Sequence, residues 1–159
     1  MTKQTTGYMQ HIIAGIRITG PQPARISTHG GGTGADGSYV TATFGQQLMI
    51  TMYDVAAVRV YAEAWTAEEH QWIFEHLPTA TATTGQSANA GPALSVRAAG
   101  MHRSFVRYDQ ATRAALIRVG SLTWHVLDQA AAYSMQDAWR YLAEVAPVVL
   151  SRQAPITHR

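Results

Sequence analysis

The chain contains one stretch twice: residues 48–65 align without a gap on residues 122–139. Both copies read L-x5-D-x-A-A-x6-A-W, with identities Leu48/Leu122, Asp54/Asp128, Ala56/Ala130, Ala57/Ala131, Ala64/Ala138 and Trp65/Trp139. A weaker echo upstream pairs Ile16, Arg17 and Gly20 with Val96, Arg97 and Gly100. A repeat of this kind restricts the chain to folds with two like halves. At 159 residues and 47% hydrophobic content it can bury one substantial core without a staple, so a single domain over 1–159 is expected.

The hydrophobic period switches inside each copy. Leu122, Trp124 and Val126 alternate with Thr123, His125 and Leu127, which predicts a strand with one apolar face. From Ala131 the apolar residues recur every three or four positions through Met135, Trp139 and Leu142, a helical stripe. Asp128 is the expected N-cap, with Ser134 the alternative if the helix starts a turn later. Copy one repeats this with Leu48, Ile50 and Met52, then Asp54 as cap, then Val58, Tyr61, Trp65, Trp72 and Ile73, and Pro78 and Pro147 are expected to end the two helices. Upstream, strands are predicted over 12–19, 25–28, 40–44 and 48–53, and over 94–99, 104–108, 116–119 and 122–126, with a two-residue hairpin turn at Gly120-Ser121.

The expected fold is therefore α+β: two ββββα repeats related by a pseudo-twofold, with antiparallel sheets and helices packed on one face. The first half covers 8–78, an Ala/Thr/Gly/Ser/Asn linker 79–91, the second half 92–150, and a loose tail 151–159. Trp65, Trp124 and Trp139 are assigned to the core. Trp72 is also assigned there, with an exposed partner anchor as its alternative.

The formal net charge of +2 conceals a segregation. The strand-rich stretches 1–53 and 79–127 are basic, while the helical stretches 54–78 and 128–147 are acidic. No cysteine is present, which excludes a disulfide framework and thiol chemistry and fits a reducing, cytoplasmic setting. No apolar run reaches the roughly 18 residues of a membrane span, so no membrane association is expected.

A duplicated ββββα order, each half closing on a strand, a short polar turn and a tryptophan-bearing helix, resembles the topology of the Whirly and PUR-repeat single-stranded nucleic-acid-binding proteins. The resemblance is one of element order; no Whirly Lys-Gly-Lys signature is present. It implies a basic, aromatic sheet surface with the helices packed behind. Saddle-shaped TATA-binding proteins and duplicated ligand-binding barrels also repeat four strands and a helix, so fold alone does not decide function.

Strand parity carries the functional reading. If Ile16 and Ile18 face the helices, Arg17 faces away, and the same alternation turns Arg25, Arg97, Arg118 and Arg107 outward. Val106 inward sends Arg103 and Phe105 outward too, with His125 and Tyr53 as further stacking surfaces. Cations for the backbone and rings for the bases are what a single strand requires. The same arginines would equally serve as the solvent covering of a one-sided sheet. The nucleic-acid-binding set is thus Arg17, Arg25, Arg97, Arg103, Phe105, Arg107, Arg118 and His125.

Other motifs carry less. Gly32-x-Gly34-x-x-Gly37 spells a dinucleotide fingerprint but runs into a strand, so no helix N-terminus meets a phosphate; residues 29–37 read as a long mobile hairpin loop. The seven histidines lack H-x3-H or H-E-x-x-H spacing, and no serine elbow or carboxylate pair is nominated. No cofactor or metal is called for, and an activity, if there is one, has no residues to name. The leading expectation is a non-enzymatic protein that binds single-stranded nucleic acid, with oligomerisation open. The alternatives are a protein-interaction or assembly module using helix surfaces, and a small-ligand binder or enzyme closed by the Gly-rich loop.

Overall fold

The computed structural model describes residues 14–30, 37–45, 48–79, 94–100 and 102–150. The first half contains β1 (Ala14–Ile18), β2 (Ala24–His29), β3 (Tyr39–Phe44), β4 (Leu48–Met52), α1 (Val55–Thr66), a 3-10 turn (Glu68–His70) and α2 (Gln71–Glu75). The second contains β5 (Leu94–Ala98), β6 (Ser104–Asp109), β7 (Ala114–Val119), β8 (Leu122–Val126) and α3 (Gln129–Leu150). The class is α+β, with two four-stranded sheets and helices. Alternation decides the strands: Val40, Ala42 and Phe44 on β3, and Leu122, Trp124 and Val126 on β8, are all buried while their neighbours are not. The linker and tail expected at 79–91 and 151–159, apart from Thr79, and most of the Gly-rich loop lie outside the described residues.

The sheets are not the two sequence halves. Their orders are β1-β8-β7-β6 and β2-β3-β4-β5, so each half lends its first strand to the sheet of the other. β1 runs parallel to β8, Ile16 opposite Trp124 and Arg17 opposite His125. β5 runs parallel to β4, Val96 opposite Ile50 and Arg97 opposite Thr51. The expectation of antiparallel sheets is corrected to this extent: each sheet has one parallel pair and two antiparallel ones. Parallel neighbours cannot be joined by a hairpin and need a long crossover, which α1 and α2 supply between β4 and β5.

Two aspartates hold the exchanged strands. Asp54 Oδ1 accepts the Ala57 N–H at the start of α1 (2.8 Å), and its Oδ2 accepts the Gly100 N–H just past β5 (2.6 Å). Asp128 Oδ1 accepts the Ala131 N–H at the start of α3 (2.8 Å), and its Oδ2 accepts the Gly20 N–H and the Thr19 hydroxyl just past β1 (both 2.8 Å). One carboxylate thereby caps a helix and latches the end of a strand. Backbone bonds repeat the join, Tyr53 N–H to Ala98 O and Leu127 N–H to Ile18 O. Gly20 and Gly100 sit at φ 69° and 75°, a region open to glycine at little cost. Ser134 is not a cap; its hydroxyl accepts the Gln22 N–H and donates to Ala131 O.

The helix pair lies between the inner faces of the sheets. α1 packs on β6 and β7 of one sheet, α3 on β2 and β3 of the other, and the helices pack on each other. A relay of rings crosses the whole core: Trp124 meets Tyr61 edge-on at 5.9 Å, Tyr61 stacks on Trp139 at 5.0 Å, and Trp139 meets Phe44 at 5.4 Å. Trp65 stacks on Phe74 and meets Trp124 edge-on, and the buried Gln136 amide on α3 donates to Trp65 O on α1. Trp65, Trp124 and Trp139 are fully buried, as expected.

Two helix boundaries differ from expectation. α1 stops at Thr66, eleven residues before Leu77 on the described path to Pro78, because Ala67 takes an extended conformation (ψ 134°). There the Thr66 hydroxyl donates to Ala62 O and the His70 ring Nδ1 meets Ala64 O, so side chains occupy the terminal carbonyls. The restart in α2 buries Ile73 and Phe74 and turns Trp72 to solvent, 53% exposed, which corrects its assignment to the core. Pro147 does not end α3, which continues to Leu150. Burial of Ala146 and Leu150 offsets the hydrogen bond that proline cannot donate.

Candidate functional site

Pairing register arranges the outward side chains into rows. On the sheet containing β1, one row runs Arg17, His125, Leu116, Arg107 across all four strands. At about 4.8 Å per strand it spans about 14 Å. The adjacent row runs Gly15, Thr123, Arg118, Phe105. Phe105 is 53% exposed, and the Arg107 guanidinium lies 5.8 Å from its ring centroid. Leu116 faces outward yet is only 8% exposed, an apolar floor between His125 and Arg107. The imidazole of His125 leans over β1, its Nε2 3.8 Å from where a side chain at Gly15 would begin.

Two charges frame this face. Arg118 Nε donates to Gly120 O at 3.2 Å, which fixes its stem beside the β7–β8 turn. Asp109, at the far end of β6, accepts the Thr112 hydroxyl at 2.7 Å and the Ala111 N–H at 3.2 Å. The Thr112 bond first, then the Ala111 bond and the positive fields of Arg107 and His125, hold its carboxyl below the usual range. Arg103 is exposed just before β6, its carbonyl accepting the Gly120 N–H.

Arg25 and Arg97 face outward too, but on the other sheet. There one row runs Arg97, Thr51, Thr41, Ser27 and the next Ser95, Met49, Thr43, Arg25. Beyond them Tyr53, Tyr39 and His29 form an aromatic strip, with His29 stacked on Tyr39 at 4.3 Å and Tyr39 6.1 Å from Tyr53. The structure therefore brings Arg17, Phe105, Arg107, Arg118 and His125 together, with Arg103 at the margin, and sets Arg25, Arg97 and Tyr53 apart from them. His29 and His125 are on different sheets.

Other surfaces offer less chemistry. A groove of about 180 Å³ between α1 and α3 is lined by small and apolar residues including Val58, Ala62, Ala143 and Pro147, with Arg59 and Glu63 at its side. Among the described residues no cluster of His, Asp and Glu could hold a metal, and no helix is long and apolar enough to cross a membrane. Leu116 and Gly15 were not singled out in the sequence; both become legible only when the partners of β7 and β1 are known. No protein-family model, curated protein or solved structure matches this chain.

Proposed function

We propose that this is a non-enzymatic protein whose β1-β8-β7-β6 sheet binds single-stranded nucleic acid on its outer face. The observation that carries the reading is the row of Arg17, His125 and Arg107 over an apolar floor, with Phe105 and Arg118 in the row beside it. Guanidinium groups meet backbone phosphates while an exposed ring accepts a base, and neither needs a particular sequence. The identical strand order of the two sheets and the matched aspartate latches support reading the halves as a duplicated ββββα unit about a pseudo-twofold axis, the Whirly and PUR-repeat type of arrangement.

Fluorescence anisotropy with a labelled, unstructured oligonucleotide tests the reading. Contacts from Arg17, Arg103, Arg107 and Arg118 give a log–log salt slope of roughly −3, at about −0.7 per phosphate on a single strand. A well-folded protein that leaves the oligonucleotide free up to high micromolar concentration at low salt refutes it. The assembly-module reading has its own observation, the exposed Trp72 ring edge-on to His76 at 5.6 Å. It takes the lead if the oligonucleotide stays free.

A further inference from the structure

The two outer faces look away from a shared helix pair, so a ligand on one does not compete for space with a ligand on the other. We infer that the β2-β3-β4-β5 face is a second, weaker site for single-stranded nucleic acid, and that one molecule holds two strands at once. The inference rests on the reading above and extends it to a surface of different composition.

Charge complementarity names the occupant. Arg25 and Arg97 stand on the two edge strands of this sheet, β2 and β5, and the outward positions between them carry no carboxylate. The Tyr53-Tyr39-His29 strip lies alongside, with Tyr53 and His29 exposed. Ser27, Thr41 and Thr51 supply hydroxyls in the row between the strip and Arg25, and the Thr41 and Thr51 oxygens are 3.5 Å apart. Two cations at the rim, neutral donors in the middle and stackable rings suit an anionic chain with flat bases. With two arginines in place of four, binding here is weaker and less salt-dependent, with a slope of roughly −1.4.

Native mass spectrometry of the full chain with a short oligothymidine counts strands per protein molecule. Two oligonucleotides per monomer are expected at saturation, the second with the shallower salt dependence. The double variant Arg97→Ala/Tyr53→Ala should lose the second strand and change affinity for the first less than twofold. A second variant, Arg25→Ala/His29→Ala, also at exposed positions, should do the same and guards against a folding defect in either. One strand per monomer in the native protein, or two in both variants, overturns the inference and leaves the first site standing. Binding of no strand at all overturns both.

Discussion

The two sheets share one strand order and differ on the side that meets solvent. Inward, both present alternating apolar residues to the helix pair, and both end their exchanged strand on a glycine held by an aspartate. Outward, the row Arg17, His125, Leu116, Arg107 on one sheet stands where the other has Arg97, Thr51, Thr41, Ser27. Only the arginine on the exchanged strand is common to both. The inward positions of the two sheets are alike in character, and the outward positions differ. A difference in outward residues is where a difference in binding would be written, and it is why the basic face is the one proposed as the stronger site.

The deepest test of that likeness is the pair of latches. Asp128 is fully buried and accepts from Ala131, Gly20 and Thr19, whereas Asp54 is half-buried and accepts from Ala57 and Gly100. Asp128→Ala should destabilise by about 3–5 kcal/mol, since it strands the buried Ala131 donor and the partly buried donors of Thr19 and Gly20 at about 1–3 each, and relaxation recovers part. Asp54→Ala should cost about 1–2 kcal/mol, an N-cap loss plus one partly buried bond at a carboxylate that is itself part-exposed. Urea unfolding midpoints measure both; equal losses would mean that the two joins do not differ as their burial implies.

A titration tests the aromatic packing that α1 makes between the sheets. Burial pushes the Tyr61 hydroxyl up to about 12, so the folded state holds that proton more tightly than the unfolded chain, where the value is 10.0. The associated stability is fully present below pH 10 and is lost as pH rises through about 12. Over that window the loss is about 2–3 kcal/mol at 1.36 kcal/mol per unit. Tyr61→Phe should flatten the decline in a pH series of thermal melts. A decline of the same size in the variant assigns it to other groups.

The smallest effects on stability separate the faces in binding. Phe105→Ala should leave stability within about 0.5 kcal/mol, because the ring is exposed. It should weaken oligonucleotide binding by about 1–3 kcal/mol without changing the salt slope. Arg118→Ala should instead flatten the slope by about 0.7. If Arg97→Ala flattens the slope of the tighter site as Arg118→Ala does, the division of labour between the sheets is wrong.

Local chemistry was legible in the sequence because it is local. The period change at Asp54 and Asp128 placed a strand and then a helix in each copy, and the tryptophan in each stripe faces the core. The parity of Ile16 and Ile18 correctly turned Arg17 outward. What the chain does not display is which sheet a strand joins. Nothing in residues 14–18 distinguishes β3 from β8 as a neighbour, so arginines that share a parity were grouped on one face when Arg25 and Arg97 stand on another. The weak echo of Gly20 and Gly100 was the trace of the exchange, since each lies at a latch. The stop of α1 at Thr66 was hidden for a different reason: no glycine or proline marks it, and the bonds of Thr66 and His70 to helix carbonyls appear only once the turn exists.

The exchange of first strands also sets a timetable. Thr19 and its latch Asp128 are 109 residues apart, and Ile16 has no neighbouring strand until Trp124 has been made. During synthesis the leading segment must wait, unpaired, while the rest of the chain emerges. The first sheet to be completed is the one that ends with β5, and the basic face is the last part of the molecule to exist. Contacts so distant in sequence make for slow closure and a long exposure of sticky edges. A ribosome-tethered chain truncated before β8 would therefore leave β1 without the strand it pairs with, even though the finished protein packs around one aromatic core.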